Sequence, residues 1–138
     1  MPKVSIILPF KNSSRTIRGC INSILRQSLI HWKLIAIVDH STDSTISILK
    51  ALCKGDKRIT ILKNPGDGIV DSLNFGIKKA NTQLIARMDV DDIMHPQRLF
   101  LQVERLERRR ELGLTSCLVN HVDIGDHDAR GYKNMLLG

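Results

Sequence analysis

Hydrophobic residues along this chain follow two alternating spacings. Short apolar runs rich in β-branched residues predict strands buried on both faces at 4–8, 33–38, 59–62 and 83–88. Between these runs, apolar residues recur at helical spacing, which predicts amphipathic helices at about 15–26, 46–53, 69–80 and 96–111. One more strand is predicted at 114–122. The chain therefore alternates strands with helices.

Local signals predict where some of these elements end and which faces they bury. Pro9 is expected to stop the first strand, and Asn12, Ser13 and Ser14 offer caps for the helix that follows. Pro96 suits the first turn of the fourth helix. The apolar stripes expected to face the core are Val70, Leu73 and Ile77 in the third helix and Leu99, Val103 and Leu106 in the fourth.

The alternation indicates βαβ units and hence an α/β fold with a mainly parallel sheet flanked by helices. The whole chain, 1–138, is predicted to form a single domain. Ligands of such sheets bind outside the carboxyl ends of the strands, which here are the segments 9–12, 39–43, 64–68 and 89–92. A functional site is therefore predicted in these segments.

Composition and charge narrow the class of partner. Hydrophobic residues make up 42% of the chain and the net charge is +7, so an anionic partner is compatible with the sequence. Aromatic residues make up only 4%, and the arginines of the fourth helix alternate with glutamates, so we expect a solvated helix face and no nucleic-acid partner. The three cysteines, interpreted as reduced core thiols, are Cys20, Cys53 and Cys117.

The first apolar run is too short for a signal-peptide core or a membrane span, so we expect a cytoplasmic location, with association at the membrane face left open. The sequence contains no glycine-rich phosphate loop with the dinucleotide or Walker spacing. Nicotinamide enzymes and P-loop NTPases are therefore disfavoured.

Three carboxylates follow the fourth strand at Asp89, Asp91 and Asp92. Their mutual repulsion raises pKa values unless a cation or hydrogen-bond donors intervene, and Mg²⁺ or Mn²⁺ with substrate phosphates is the simplest solution. Asp91 and Asp92 are the predicted metal ligands. In the alternative interpretation, one of these two residues only caps the helix that begins near Pro96.

Asp39 follows the second strand and is expected at the same sheet edge as Asp89. Its carboxylate can accept a hydrogen bond from a base N–H or a ribose hydroxyl. Lys11, just past the first strand, can either reach a phosphate or remain solvated. His40 and His95 are interpreted as surface residues, and the segment 41–44 as turn and cap chemistry.

Three of these segments, in order, resemble motifs of the family 2 glycosyltransferases, inverting enzymes with a GT-A, Rossmann-like fold. The likeness extends over about 4–104. The segment 4–12 resembles the family's opening strand with its Pro9 and Asn12, 38–45 its second-strand motif, and 86–92 followed by Pro96 its Asp-x-Asp segment. Asn64, Gly66, Asn74 and Gly76 also fit the family's loop-and-helix pattern.

The resemblance implies a role for each matching residue. Asp39 would contact the nucleotide base, Asp89 the ribose or diphosphate, and Asp91 would coordinate Mg²⁺ or Mn²⁺ on the diphosphate. Pro9, Lys11 and Asn12 would complete the donor site, with a UDP-sugar as the expected donor. His40 departs from the family, which has a second acid at this position. The acceptor, whether glycan, lipid-linked or protein, is not indicated.

The family's acceptor-side half, with the acid that deprotonates the acceptor hydroxyl, lies beyond the matching motifs. We therefore expect a domain truncated on that side and no catalytic base in this chain. The downstream aspartates, Asp123, Asp126 and Asp128, are interpreted as an irregular acidic loop. Two hypotheses remain: a metal-dependent transferase that moves a sugar to a hydroxyl with inversion, and a nucleotide-sugar-binding module without turnover.

Overall fold

The computed structural model describes residues 1–120 of the chain. Strands and helices alternate along it as β1 (Val4–Phe10), α1 (Ile17–Leu25), β2 (Trp32–Val38), α2 (Thr45–Leu52), β3 (Ile59–Lys63), α3 (Gly68–Lys79), β4 (Leu84–Arg87) and α4 (Arg98–Arg108). The four strands form one sheet in the order β3-β2-β1-β4, and every pairing is parallel. The predicted α/β class and parallel sheet are confirmed.

The two central strands explain the continuous apolar runs in the sequence. All seven residues of β1 are buried, because α1, α2 and α4 supply side chains to one face and α3 packs on the other. Burying an isoleucine or leucine side chain contributes about 1.5–3 kcal/mol. β4 is shorter, and its burial alternates because it lies at the edge of the sheet.

Pro9 does not stop the first strand, so that prediction is wrong. β1 continues to Phe10, and Pro9 is paired with Ile37 of β2. The carbonyl of Ile7 accepts a hydrogen bond from the Met88 N–H on the β4 side, and the carbonyl of Phe10 accepts one from the Asp39 N–H on the β2 side. Alternate residues point to opposite neighbours, so the nitrogen of Pro9 points toward β4. Because β4 ends at Arg87, no ladder bond is lost there.

The buried face of α3 also differs from the prediction. Val70 is 66% exposed and Ile77 is 48% exposed, whereas the buried residues of the helix are Ser72 and Gly76. A Cβ atom added to Gly76 would lie 2.5 Å from Ile7 Cγ2 and 2.6 Å from Ile37 Cδ1. The helix therefore lies directly on β1 and β2 through a small residue, with Val70 and Ile77 displaced to the flank, whereas Leu73 packs partly buried against the core as predicted.

The strand predicted at 114–122 is not formed over 114–120, which has no regular structure, and 121–122 lie outside the described residues. Cys117 is exposed there, so it is not a core thiol, whereas Cys20 and Cys53 are buried and free as expected. In α4, Leu99 and Val103 are buried as predicted. Over residues 1–120, no helix combines the length and apolar character that a membrane crossing requires.

The close approach at Gly76 gives the first testable prediction. Gly76→Ala should lower the free energy of unfolding by about 1–2 kcal/mol, because overlap with Ile7 and Ile37 outweighs the higher helix propensity of alanine. Gly113→Ala is the matched control, since nothing lies within 4 Å of the added atom. Urea unfolding measures both variants, and equal stability of Gly76→Ala and wild type would contradict the packing described for α3.

Candidate functional site

A cavity of about 660 Å³ opens at the carboxyl ends of the strands. This volume falls within the range of small-molecule sites, roughly 300–1,000 Å³. Six of the seven predicted site residues line the cavity, namely Pro9, Lys11, Asn12, Asp39, Asp89 and Asp91. Asp92, the seventh, is exposed and does not line it. The sheet edge thus brings together side chains from three separate segments of the sequence.

Asp39 is the buried acid of the cavity, with 6% of its surface exposed. Its Oδ1 accepts a hydrogen bond from Asn64 Nδ2 at 3.0 Å, and its Oδ2 accepts one from the Gly68 backbone N–H at 3.1 Å. Burial raises the pKa of this carboxyl, but the bonds from Asn64, His40 and Gly68 outweigh it, so the pKa lies below the ordinary value. The carboxylate is therefore ionised and held in one orientation.

His40 stands beside Asp39 in a left-handed backbone conformation, with φ of 51°. Its Nδ1 lies 3.0 Å from Asp39 Oδ1 and 3.9 Å from Asp67 Oδ1. The ring is half-exposed, as expected for a surface histidine, while the Asp67 side chain is 85% exposed. Asp39, His40 and Asp67 have ligand atoms close enough together for one cation. Asp39, however, already accepts bonds from Asn64 and Gly68, so we interpret the cluster as a hydrogen-bonded turn.

Asn12 joins the loop after β1 to the loop after β2. Its Oδ1 accepts a hydrogen bond from the Thr42 backbone N–H at 2.8 Å, and its own N–H donates to Ser41 Oγ at 3.0 Å. The left-handed φ of 44° at Asn12 turns the backbone sharply after the strand, and asparagine tolerates this conformation better than most residues. Asn12 thus lines the cavity and shapes its rim, whereas the helix cap of α1 is Thr16.

Asp43 and Thr45 complete this link between the two loops. The Ser13 N–H donates to Thr45 Oγ1 at 2.8 Å, Thr45 Oγ1 donates to Asp43 Oδ1, and the Ser14 N–H donates to Asp43 Oδ2 at 3.1 Å. The bond from the Thr45 hydroxyl is the main reason that the pKa of Asp43 is lowered to about 2. The turn chemistry expected for 41–44 is confirmed, and it spans two loops.

The carboxylates after β4 concentrate negative charge at one side of the cavity. Arg87 forms an ion pair with Asp89 at 3.1 Å, whereas the next two acids, Asp91 and Asp92, are exposed. Burial, followed by the charges of Asp91 and Asp89, raises the pKa of Asp92. Burial and the same three carboxylates raise the pKa of the Cys20 thiol to about 12. The repulsion expected from the sequence is therefore present.

The helix-cap alternative for Asp91 and Asp92 is wrong. The N-cap of α4 is Gln97, whose own side chain makes no capping bond, and the free Leu99 N–H in the first turn donates to Gln27 Oε1 at 3.1 Å. The Asp92 backbone N–H instead donates to the Asp89 carbonyl, which folds the acidic segment into a tight turn. Capping therefore does not account for the carboxylates.

Nine residues that line the cavity were not predicted as site residues, namely Phe10, Ser13, Ser14, Arg15, Thr16, Ile69, Ser72, Arg87 and Val90. Ile69 and Ser72 lie on the face of α3 that the apolar stripe did not identify. Arg87 precedes Asp89 by two positions in a strand, and that spacing could have identified it, because alternate strand residues share a face.

The low pKa of Asp43 gives a pH-dependent prediction. Because its folded pKa of about 2 lies below the ordinary 3.8, its stabilising effect is complete above pH 4 and is lost as pH falls through about 2. Asp43→Asn should therefore lower the melting temperature at pH 6, and its difference from wild type should shrink toward pH 2. Asp67→Asn is the control, since that side chain is 85% exposed. Differential scanning fluorimetry from pH 6 to pH 2 measures this, and a pH-independent difference would contradict the assignment.

Comparison with known proteins places this chain in a family. The chain matches the model of Glycosyl transferase family 2 over residues 5–135. It is 40% identical over 111 residues to EpsE of Bacillus subtilis (strain 168), which is named as a glycosyltransferase; the match covers 79% of this chain and 40% of EpsE. The chain thus spans less than half the length of this relative.

Solved structures of glycosyltransferases share the fold. TarS of S. aureus in complex with UDP superimposes with a TM-score of 0.72 at 21% identity, covering 78% of this chain and 33% of TarS. The mannosyltransferase PcManGT from Pyrobaculum calidifontis, in complex with GDP-Man and Mn²⁺, gives 0.69 at 21% identity, covering 76% and 32%. The GT-A type of sheet expected from the sequence is confirmed, and the chain belongs to glycosyl transferase family 2.

Proposed function

We propose that this chain forms the donor-binding half of a metal-dependent glycosyltransferase, which moves a sugar from a nucleoside diphosphate to an acceptor hydroxyl with inversion. One observation carries the proposal: Asp39, Asp89 and Asp91, from two distant segments, line the same cavity. Such a convergence at the carboxyl edge of a parallel sheet is typical of a ligand site. Membership of the family supports a transferase reaction.

The nucleoside end of the donor is assigned to Asp39 and the diphosphate end to Lys11, Asp89 and Asp91. The carboxylate of Asp39 has about four acceptor positions, of which Asn64, His40 and Gly68 use three. One position remains for a base N–H or a ribose hydroxyl. TarS binds UDP and PcManGT binds GDP-Man, and both bases carry a ring N–H beside a carbonyl. A UDP-sugar is the proposed donor.

The exposed carboxylates of Asp91 and Asp92 are the proposed ligands for Mg²⁺ or Mn²⁺. Burial, and then the charges of Asp91 and Asp89, raise the pKa of Asp92, and the carboxylate oxygens of this segment suit both cations as ligands. A bound cation would offset the charge that develops on the diphosphate as the sugar leaves. Arg87, which is paired with Asp89, keeps that carboxylate in place beside the diphosphate position.

A binding module without turnover is the second candidate, favoured by the lack of an identified catalytic base in the described residues. The chain covers only 40% of EpsE and 33% of TarS, and no base for the acceptor hydroxyl is identified within residues 1–120. A positioned base contributes about 10²- to 10⁴-fold to such a transfer. The described residues do not include the three downstream aspartates, Asp123, Asp126 and Asp128.

Asp91 tests the donor site and its metal. Isothermal titration of the chain with UDP in the presence of Mn²⁺ should show binding that EDTA abolishes. Asp91→Asn should weaken this binding at least about tenfold, since charge-assisted interactions are worth roughly 1.5–3 kcal/mol. Glu107→Gln removes the same charge from an exposed ion pair with Lys3 and should leave the affinity unchanged. UDP binding that is unaffected by EDTA and by Asp91→Asn would contradict the metal assignment.

Turnover separates the two candidates. Hydrolysis of UDP-glucose or UDP-GlcNAc above background by the chain, and its loss in Asp91→Asn, would support the transferase. Metal-dependent binding with no hydrolysis and no transfer to a supplied hydroxyl acceptor would support the binding module.

A further inference from the structure

Ser72 is a buried hydroxyl that the structure leaves without a partner. Its side chain lies in α3, 0% of the residue is exposed, and its Oγ has no hydrogen-bond partner within residues 1–120. Leaving a buried polar group unpaired costs about 1–3 kcal/mol, so such groups are rare in folded proteins. Ser72 also lines the cavity that contains Asp39. An unpaired buried hydroxyl at a ligand cavity calls for a functional explanation.

The geometry of α3 shows where this hydroxyl lies. Gly76, one helical turn after Ser72, rests on Ile7 of β1 and Ile37 of β2. The helix runs opposite to the strands, so Ser72 lies over the next inward-facing positions of the same two strands. These positions are Pro9 and Asp39, and both line the cavity. Ser72 is therefore placed on the same face of the sheet as Asp39, and both residues line the cavity with no hydrogen bond between their side chains.

A second unpaired group provides a contrast. Trp32 Nε1 is also buried without a partner within residues 1–120. Trp32, however, is the first residue of β2, so it lies at the amino ends of the strands, opposite to the cavity. The Arg58 guanidinium carbon lies 3.8 Å from the centroid of its ring. That indole is far from the cavity and belongs to the packing of the core. Ser72 is the unpaired group that lies at the candidate site.

We propose that Ser72 is a specificity-determining residue, and that its hydroxyl and the remaining acceptor position of Asp39 together bind a base edge with a ring N–H beside a carbonyl. The inference rests on the proposed function. Asp39 accepts from the N–H, and Ser72 donates to the carbonyl oxygen. Uracil and guanine carry this edge, whereas adenine has no carbonyl and the ring nitrogen of cytosine carries no hydrogen. The pair selects UDP or GDP donors over ADP and CDP donors.

Substitution of Ser72 separates this role from a structural one. Ser72→Ala should weaken the binding of UDP with Mn²⁺ about three- to tenfold, the equivalent of one net hydrogen bond. The melting temperature without ligand should stay the same or rise, because the variant removes an unpaired buried hydroxyl. Inorganic pyrophosphate with Mn²⁺, which lacks the base, should bind both proteins equally. Ser72→Cys, which keeps the volume and donates weakly, should bind UDP with intermediate affinity.

Ser23→Ala is the matched control. Ser23 is also a buried helical serine, but its Oγ donates to the Cys20 carbonyl at 2.7 Å and accepts from the Met94 N–H at 3.0 Å, and it does not line the cavity. Loss of the Ser23 hydroxyl should lower the melting temperature and leave the affinity for UDP unchanged. This is the reverse of the pattern expected for Ser72→Ala.

The outcomes distinguish the two proposals. If wild type binds UDP and Ser72→Ala binds it equally well, the Ser72 assignment is wrong and the donor site stands. If Ser72→Ala weakens the binding of UDP and of pyrophosphate equally, the assignment is also wrong, because the substitution has then deformed the cavity. If wild type binds ADP as tightly as UDP and GDP, the base selection is wrong. Failure of wild type to bind any nucleotide or pyrophosphate with Mn²⁺ would overturn both proposals.

Discussion

Parallel pairing of β1 with both β2 and β4 is the constraint on which the candidate site depends. The ladder aligns Phe10 with Val38 and Ile7 with Arg87, so β1 extends three residues beyond its last partner in β4. The step leaves space beside the end of β1, and the cavity lies there. Asp39 directly follows β2, and Asp89 follows β4 after one residue, Met88. Their approach is thus a consequence of strand register and requires no contact between them.

The polar residues around this edge have two tasks. Asn12, Asp43 and Thr45 bond the loops after β1 and β2 to each other, which gives the cavity a defined rim. Asp39 is held by Asn64 and Gly68, so the turn before α3 positions the buried acid. A carboxylate already oriented by protein donors loses little freedom when a ligand binds, and preorganisation of this kind favours affinity. The carboxylate of Asp39 is therefore held in one orientation before any ligand binds.

Charge divides the cavity into two ends. At the α3 end, one carboxylate is compensated by hydrogen-bond donors, and its pKa is lowered. At the β4 end, burial and the neighbouring charges of Asp91 and Asp89 raise the pKa of Asp92. The first arrangement suits a neutral base or ribose, and the second suits a cation that bridges to phosphates. This polarity supports the orientation assigned to the donor, with its base over α3 and its diphosphate near Asp91.

The sequence by itself determined the α/β class, the order of the elements and the carboxylates at the strand ends, because burial on a strand or helix leaves a local periodic pattern. Tertiary structure alone decided the features that depend on a neighbouring element. Pro9 remains in its strand because β4 ends first, and α3 turns Gly76 and Ser72 inward because the sheet is too close for Val70 or Ile77. Hydrophobicity cannot identify a helix face that is buried because its residues are small, so only the packing of α3 on the sheet shows that Ser72 lines the cavity.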